Sequence, residues 1–378
     1  MRSFLSIPLL ILFTNLIGQD AAYTSFADNR ILFNPSLVGV SGAQSWKIRG
    51  KSQWFNDGGS GYKTLGLIFE ETMPCSIIDL GAKFNLNEEG SGLFRTWEAG
   101  IVSAMFIPLP PSQKHDHNLR AGADFSWGIN TIDYNKLIFS DQLDPKYGNI
   151  LQGSFIHPNT GNSNWFFNPG VGFSLRSLWN KKSKQAVMTN AGMAMYRFYS
   201  LNGGKINQSV SILGLDNDNP VRYTGFFEME FVPKYYGRQF LSMRPSIVYQ
   251  KQGKIDYAEF GFRAGYTRSA GIGFYYHTSF LNEYGVNRWL SIHGDITIKL
   301  KKKRLMVVNF DYSSNISGLR NFSGPQLELG FTYHLAKSSI CNALDQQDDV
   351  PYNGSYNCPI MDVSPGKRKM YENIWYKE

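Results

Sequence analysis

The sequence predicts an all-β protein, specifically a transmembrane outer-membrane antiparallel β-barrel of about 14 strands. Three observations carry that expectation. Apolar and polar residues alternate with a period of two through most of the chain, the pattern of strands with one oily face. Aromatic residues make up 15% of the chain, enough to furnish the two interfacial girdles that such barrels carry. The connections between alternating segments are tight on one side and long on the other.

The chain opens MRSFLSIPLLILFTNLIGQD. Arg2, the apolar stretch from Phe4 to Ile17 and the small or polar pair Gly18-Gln19 read as a secretory signal peptide over residues 1–18, cleaved before Gln19. A membrane anchor is the alternative, but a span needs roughly 20 apolar residues and this stretch is shorter and contains Pro8. Residues 19–43 then form an N-terminal periplasmic segment or a plug. The barrel occupies 44–335, and a periplasmic tail covers 336–378.

Strands are expected near 44–54, 63–70, 76–86, 97–107, 118–130, 169–179, 190–199, 222–232, 240–249, 257–266, 271–279, 289–299, 304–313 and 326–334. In LSIHGDITIKL, Leu290, Ile292, Ile296, Ile298 and Leu300 oppose Ser291, His293, Asp295, Thr297 and Lys299. In LRAGADFSW, Leu119, Ala121, Ala123, Phe125 and Trp127 oppose Arg120, Gly122, Asp124 and Ser126. In GPQLELGFTYHL, Leu327, Leu329, Phe331, Tyr333 and Leu335 oppose Gln326, Glu328, Gly330, Thr332 and His334. The largest gaps, from Thr131 to Asn168 and from Leu201 to Val221, follow odd-numbered strands. Tight gaps such as Thr267 to Ala270 and Leu300 to Lys303 follow even-numbered ones. An even strand count puts both termini with the short turns, on the periplasmic side.

A soluble secreted β-sandwich shows the same alternation. Three features favour lipid as the neighbour of the oily face. Aromatics gather near strand ends, as in GFYYHTSF and FVPKYY. The strands are long enough to cross a bilayer at a tilt. The polar face carries both signs of charge at Arg120, Asp124, Glu228, Glu230, Arg263, Asp295, Asp311 and Glu328, which suits a wet lumen with paired charges.

Charged residues are 18% of the chain, below the roughly 25% of soluble domains, and the +8 net charge is spread out. Nucleic acid is therefore not an expected partner. The Lys301–Arg304 run reads as a solvated hairpin tip, or as a contact for anionic headgroups or an acidic periplasmic protein. Cys75 stands alone. Cys341 and Cys358 could close a disulfide loop in the tail, worth on the order of 3 kcal/mol.

Asn34-Pro35 reads as a rigid turn into the first strand, or as part of a lumen plug or periplasmic contact. Asp141 and Asp144 invite a calcium or catalytic reading. The simpler one is a turn in which Asp accepts backbone N–H groups and Pro145 fixes the bend. Trp127, Tyr134, Phe139 and Tyr147 suggest that this long loop packs on itself or folds into the mouth. The pair His115 and His117 lacks further ligands at readable spacing, and His293 and His334 face the lumen with a structural role as the default. No GxSxG, HExxH, P-loop or dinucleotide motif occurs, and Glu88-Glu89 has no matched acid or base, so neither an enzyme nor a cofactor is expected.

Several stretches resemble the type IX secretion system membrane protein family PorP/SprF of Bacteroidota. They are the early Asn34, Pro35 and Gly39, with Ser36 in place of the usual Ala, and Lys51, Gln53 and Trp54, with Lys51 in the place of Arg. The most specific is LIFSDQLDPKYG, with Asp141, Gln142, Asp144, Pro145 and Gly148. NPVRYTGFF and SGPQLELGFTYHL also match. The resemblance runs from about Gln19 to Leu335 and leaves out the tail. It implies an outer-membrane barrel of the secretion and gliding apparatus that supports secretion or surface attachment of large adhesin-type proteins. The implied partners are outer-membrane lipid, a secreted surface adhesin or its C-terminal domain, and periplasmic machine components. A porin or transporter for small or hydrophobic solutes is the alternative.

Overall fold

A computed structural model shows a closed antiparallel barrel of 14 strands. The structure describes residues 23–41, 44–53, 61–73, 76–90, 94–109, 115–138, 142–144, 146–149, 162–163, 165–179, 187–198, 220–231, 234–235, 238–239, 241–266, 269–280, 287–300, 304–317 and 324–335. The signal-peptide region, Trp54, Cys75, Phe139, Asp141, Pro145, Lys301–Lys303, Cys341, Cys358 and the tail lie outside the described residues.

The barrel strands are β1 (Ser45–Gln53), β2 (Tyr62–Glu71), β3 (Ile78–Glu89), β4 (Phe94–Pro108), β5 (Asp116–Thr131), β8 (Phe166–Trp179), β9 (Val187–Tyr196), β10 (Arg222–Phe231), β13 (Leu241–Gln252), β14 (Ile255–Tyr266), β15 (Ala270–Thr278), β16 (Arg288–Lys299), β17 (Leu305–Asn315) and β18 (Gln326–His334). Two short pairs lie in the connections, β6 (Leu143–Asp144) with β7 (Gly148–Asn149) and β11 (Lys234–Tyr235) with β12 (Arg238–Gln239). Each barrel strand pairs with its neighbour in sequence, and β1 closes on β18. Among the described residues, no helix is long and apolar enough to cross a membrane.

The closed circuit answers what the oily face touches. Leu329 is 51% exposed on the outside, while Glu328 beside it is 1% exposed within. The same alternation holds in β16, where Ile292 and Ile296 face out and Ser291, His293 and Asp295 are buried inside. Such a ladder has no free edge and needs no second sheet, which satisfies every strand within hydrocarbon. The termini of the circuit lie with the short turns. The opposite side carries the long β5-to-β8 and β9-to-β10 connections, yet also two tight hairpins, at Gly90 (φ 68°) and Gly253 (φ 59°).

Trp127 departs from the expectation that it joins a loop folded into the mouth. The β5 alternation turns it outward, 5.3 Å from the Phe167 ring, where it belongs to the lipid face. Tyr147 is 65% exposed instead of tucked against its own loop.

The outward face yields a direct test. Leu329→Arg is expected to destabilise the protein in lipid by up to about 2–4 kcal/mol, the cost of a guanidinium near the bilayer midplane. Leu329→Met should change stability by less than about 1.5 kcal/mol. Reversible denaturant unfolding in lipid vesicles measures both.

Candidate functional site

The segment Tyr23–Ser41 sits inside the barrel. It contains one short helical turn, α1 (Arg30–Phe33), followed by a 3-10 turn over Pro35–Leu37. Its side chains reach β1, β2, β10, β16 and β18, and Ser36 bonds β5 and β8, so the wall surrounds it.

The Asn34-Pro35 pair explains the local turn. Pro35 takes the first position of the 3-10 turn, where it has no N–H to leave unpaired. Asn34 Oδ1 accepts from the Ser36 N–H at 2.9 Å and from the Ser36 hydroxyl at 2.8 Å. Asn34 Nδ2 donates to the carbonyls of Phe173 and Met193, both at 3.1 Å. One buried carboxamide therefore caps the turn and bridges β8 to β9.

The wall is recessed to receive this turn. Gly122 and Gly172 face each other across the β5–β8 ladder, and Gly172 is paired with Ala194 on β9. A Cβ at Gly122 would lie 2.3 Å from Ser36 N, and one at Gly172 would lie 2.2 Å from Asn34 Oδ1. Gly39 ends the turn at φ 74°, a region that disfavours side chains, and its carbonyl accepts from the Thr72 hydroxyl at 2.8 Å.

Charged groups fasten the rest. Arg120 donates from Nε to the Ser36 carbonyl at 2.8 Å and from Nη2 to the Val38 carbonyl, while pairing with Asp79 at 2.7 Å. Arg30 pairs with Glu228 at 2.9 Å, and Glu228 also accepts from Asn190 at 2.7 Å. Glu328 accepts the Thr24 N–H at 2.7 Å and Asn29 Nδ2 at 3.2 Å. Burial alone would push the Asp28 carboxyl up, but Arg49 and His293 beside it hold it below its ordinary value.

Apolar contacts complete the fit. Phe26, Phe33, Leu37 and Val40 pack with the inward-facing Phe226 and Val248. Ile31 and Val38 pack with Ile68, Val102 and Ala104. Those wall residues point inward where a water-filled lumen would be polar. They were missed in the sequence, although a signal exists: β4 reads Ile101, Val102, Met105, Phe106, apolar on both faces.

The other motif residues are dispersed. Lys51 is buried in β1, across the ladder from Glu328, and Gln53 lies opposite Gln326. Asp144 Oδ1 accepts the N–H groups of Lys146 at 2.7 Å and Tyr147 at 2.9 Å, and Asp144 pairs with Gly148 in the β6–β7 turn beside Gln142. The structure thus joins Asn34, Pro35 and Gly39 in one docked turn and places Gln142, Asp144 and Gly148 in a separate outer loop. His115 and His117 flank the Trp179 ring at 5.0 and 5.4 Å, and His117 Nδ1 lies 2.9 Å from Ser177 Oγ.

A family model described as "Type IX secretion system membrane protein PorP/SprF" matches residues 15–346. No curated protein sequence matches the chain. Among solved structures, the chain is similar to a monoaromatic hydrocarbon channel, CymD, at 11% identity and TM-score 0.42, covering 85% of this chain and 95% of that one. It is also similar to the P. putida toluene transporter TodX, at 10% identity and TM-score 0.38, covering 82% and 94%. A third is the Ralstonia pickettii toluene transporter TbuX, at 11% identity and TM-score 0.37, covering 81% and 92%. At these scores the likeness carries no argument about what passes through or binds this barrel.

Proposed function

The chain belongs to the PorP/SprF family of type IX secretion system membrane proteins, and from that premise we propose that it anchors large adhesin-type proteins during secretion or at the cell surface. On this reading it resides in the outer membrane as a component of the type IX machinery. Its N-terminal leader is removed before Gln19, it docks to periplasmic machine parts, and it contributes to gliding. It performs no covalent chemistry of its own.

The enclosed segment is the observation that supports anchoring over solute passage. A pore lumen is lined by mobile water and needs weak, replaceable contacts. Here the space is taken by Tyr23–Ser41, held through buried ion pairs such as Arg30–Glu228 and through a recess shaped to its backbone. The outer loops, where the Asp144 turn and the exposed Tyr147 and Trp165 lie, then offer the surface for a secreted partner.

Deleting the gene and comparing the surface and secreted proteomes tests the proposal. Large adhesins should fall several-fold on the surface and recover on complementation. Unchanged surface adhesins, together with solute-selective conductance of the purified protein in planar bilayers, would instead establish a porin or transporter.

A further inference from the structure

We infer that Asp28, His293 and Asp311 form a binding site for a divalent transition-metal ion, Zn2+ or Mn2+, at the junction of the enclosed segment with β16 and β17. The three residues each offer one ligand atom, and these atoms lie within 4.8 Å of one another. His293 Nδ1 is 2.8 Å from Asp311 Oδ1 and 3.7 Å from Asp28 Oδ2. Ligands about 2.0–2.2 Å from a tetrahedral ion stand about 3.3–3.6 Å from one another, so small adjustments bring this set onto one centre.

Two independent features point to a cation. First, the Oδ2 atoms of both Asp28 and Asp311 are buried without a hydrogen-bond partner, and Asp311 is only 1% exposed. A buried carboxylate oxygen without a hydrogen bond has room for a further positive partner. Of the guanidinium groups nearby, Arg49 reaches Asp28 only at Oδ1, at 3.5 Å, and Arg263 donates from Nε and Nη2 to Asp295 at 2.8 and 2.7 Å. Across the ladder from Asp311, Glu328 adds a further carboxylate, with Lys51 opposite it on β1.

Second, His293 is oriented as a ligand is. Its Nε2 lies 3.2 Å from Asp295 Oδ1, and Asp295 is itself clamped by Arg263. With Asp295 taking the Nε2 proton, an incoming ion that displaces the Nδ1 proton now shared with Asp311 at 2.8 Å would find a lone pair there, and ligating histidines are held this way. Here that second nitrogen faces two carboxylates. One imidazole with two carboxylates is a hard-to-borderline donor set, which selects Zn2+ or Mn2+ over thiophilic ions. Because Asp28 belongs to the enclosed segment and the other two ligands to the wall, the ion would staple one to the other. The site stands whether or not the barrel serves secretion.

The test uses the full protein purified in detergent, stripped with chelator and titrated calorimetrically with Zn2+ and, separately, Mn2+. One saturable equivalent is expected for at least one ion, with affinity lowered about tenfold or more in Asp28→Asn, His293→Gln and Asp311→Asn. Heat-modifiable migration on gels verifies that each variant barrel is folded. Limited proteolysis adds a second readout: the bound ion should slow cleavage within residues 23–41 of wild type and leave Asp28→Asn unaffected. The inference is overturned if neither ion binds saturably, if all three variants bind as wild type does, or if binding disappears with His115→Ala/His117→Ala and persists in His293→Gln.

Discussion

Arg120→Met is expected to destabilise the barrel by about 3–5 kcal/mol, the largest single-residue effect among the ion pairs. Arg120 and Asp79 are both fully buried, and the guanidinium holds the Ser36 and Val38 carbonyls as well. Methionine keeps an unbranched apolar stem but removes the guanidinium, so the Asp79 carboxylate stays buried without its charged partner. Denaturant unfolding followed by tryptophan fluorescence measures the loss. The double variant Arg120→Met/Asp79→Leu should recover much of it, because the penalty lies in the stranded charge. Arg95→Met provides the contrast. Arg95 and Glu88 are 2.9 Å apart, but their side chains are 38% and 23% exposed, and their pair should be worth no more than about 1 kcal/mol.

Gly122→Val is expected to expel the docked turn while leaving the barrel closed. Any Cβ there meets the backbone of Pro35 and Ser36 at 2.3–2.4 Å, and backbone cannot rotate away as a side chain can. Overpacking costs of about 1–3 kcal/mol are relieved most simply by release of the segment toward the periplasm. Single-channel conductance should rise from near zero to discrete openings, and proteolysis within residues 23–41 should accelerate at least several-fold. Gly294→Ala, whose Cβ meets nothing within 4 Å, should behave as wild type. A Gly122→Val protein with unchanged conductance and unchanged protease sensitivity would show that the contact is not what keeps the segment in place.

The strands were legible because lipid imposes a strict rule. Each outward position must be apolar, so a period of two survives in β16 and β18 almost without interruption, and their expected ends agree with the structure within a residue or two. The charges read as lumen-facing do point inward, and several are paired within the wall, as in Arg263–Asp295 and Lys83–Asp124. What alternation could not reveal was the partner inside. Glu228 and Glu328 bond to Arg30, Thr24 and Asn29, contacts some 200 to 300 residues apart in sequence that no local pattern encodes. Asn34 and Pro35 were visible as a turn, but the carbonyls that Asn34 bridges belong to backbone, which is silent in sequence. Gly122 was readable only as a small residue on the polar face. Its meaning lies in what presses against it.

The β1–β18 junction carries one further implication. Here the first and last staves meet, and Arg49 and Glu328, which grip Asp28, Thr24 and Asn29, stand on either side of the seam. Prising the seam open toward the lipid and dislodging the inner segment therefore break some of the same bonds. Such linkage is reciprocal: release of the segment lowers the cost of opening the seam by as much as an open seam lowers the cost of release. A force that tugs the chain from the periplasm would, by that arithmetic, also loosen a lateral doorway into the membrane.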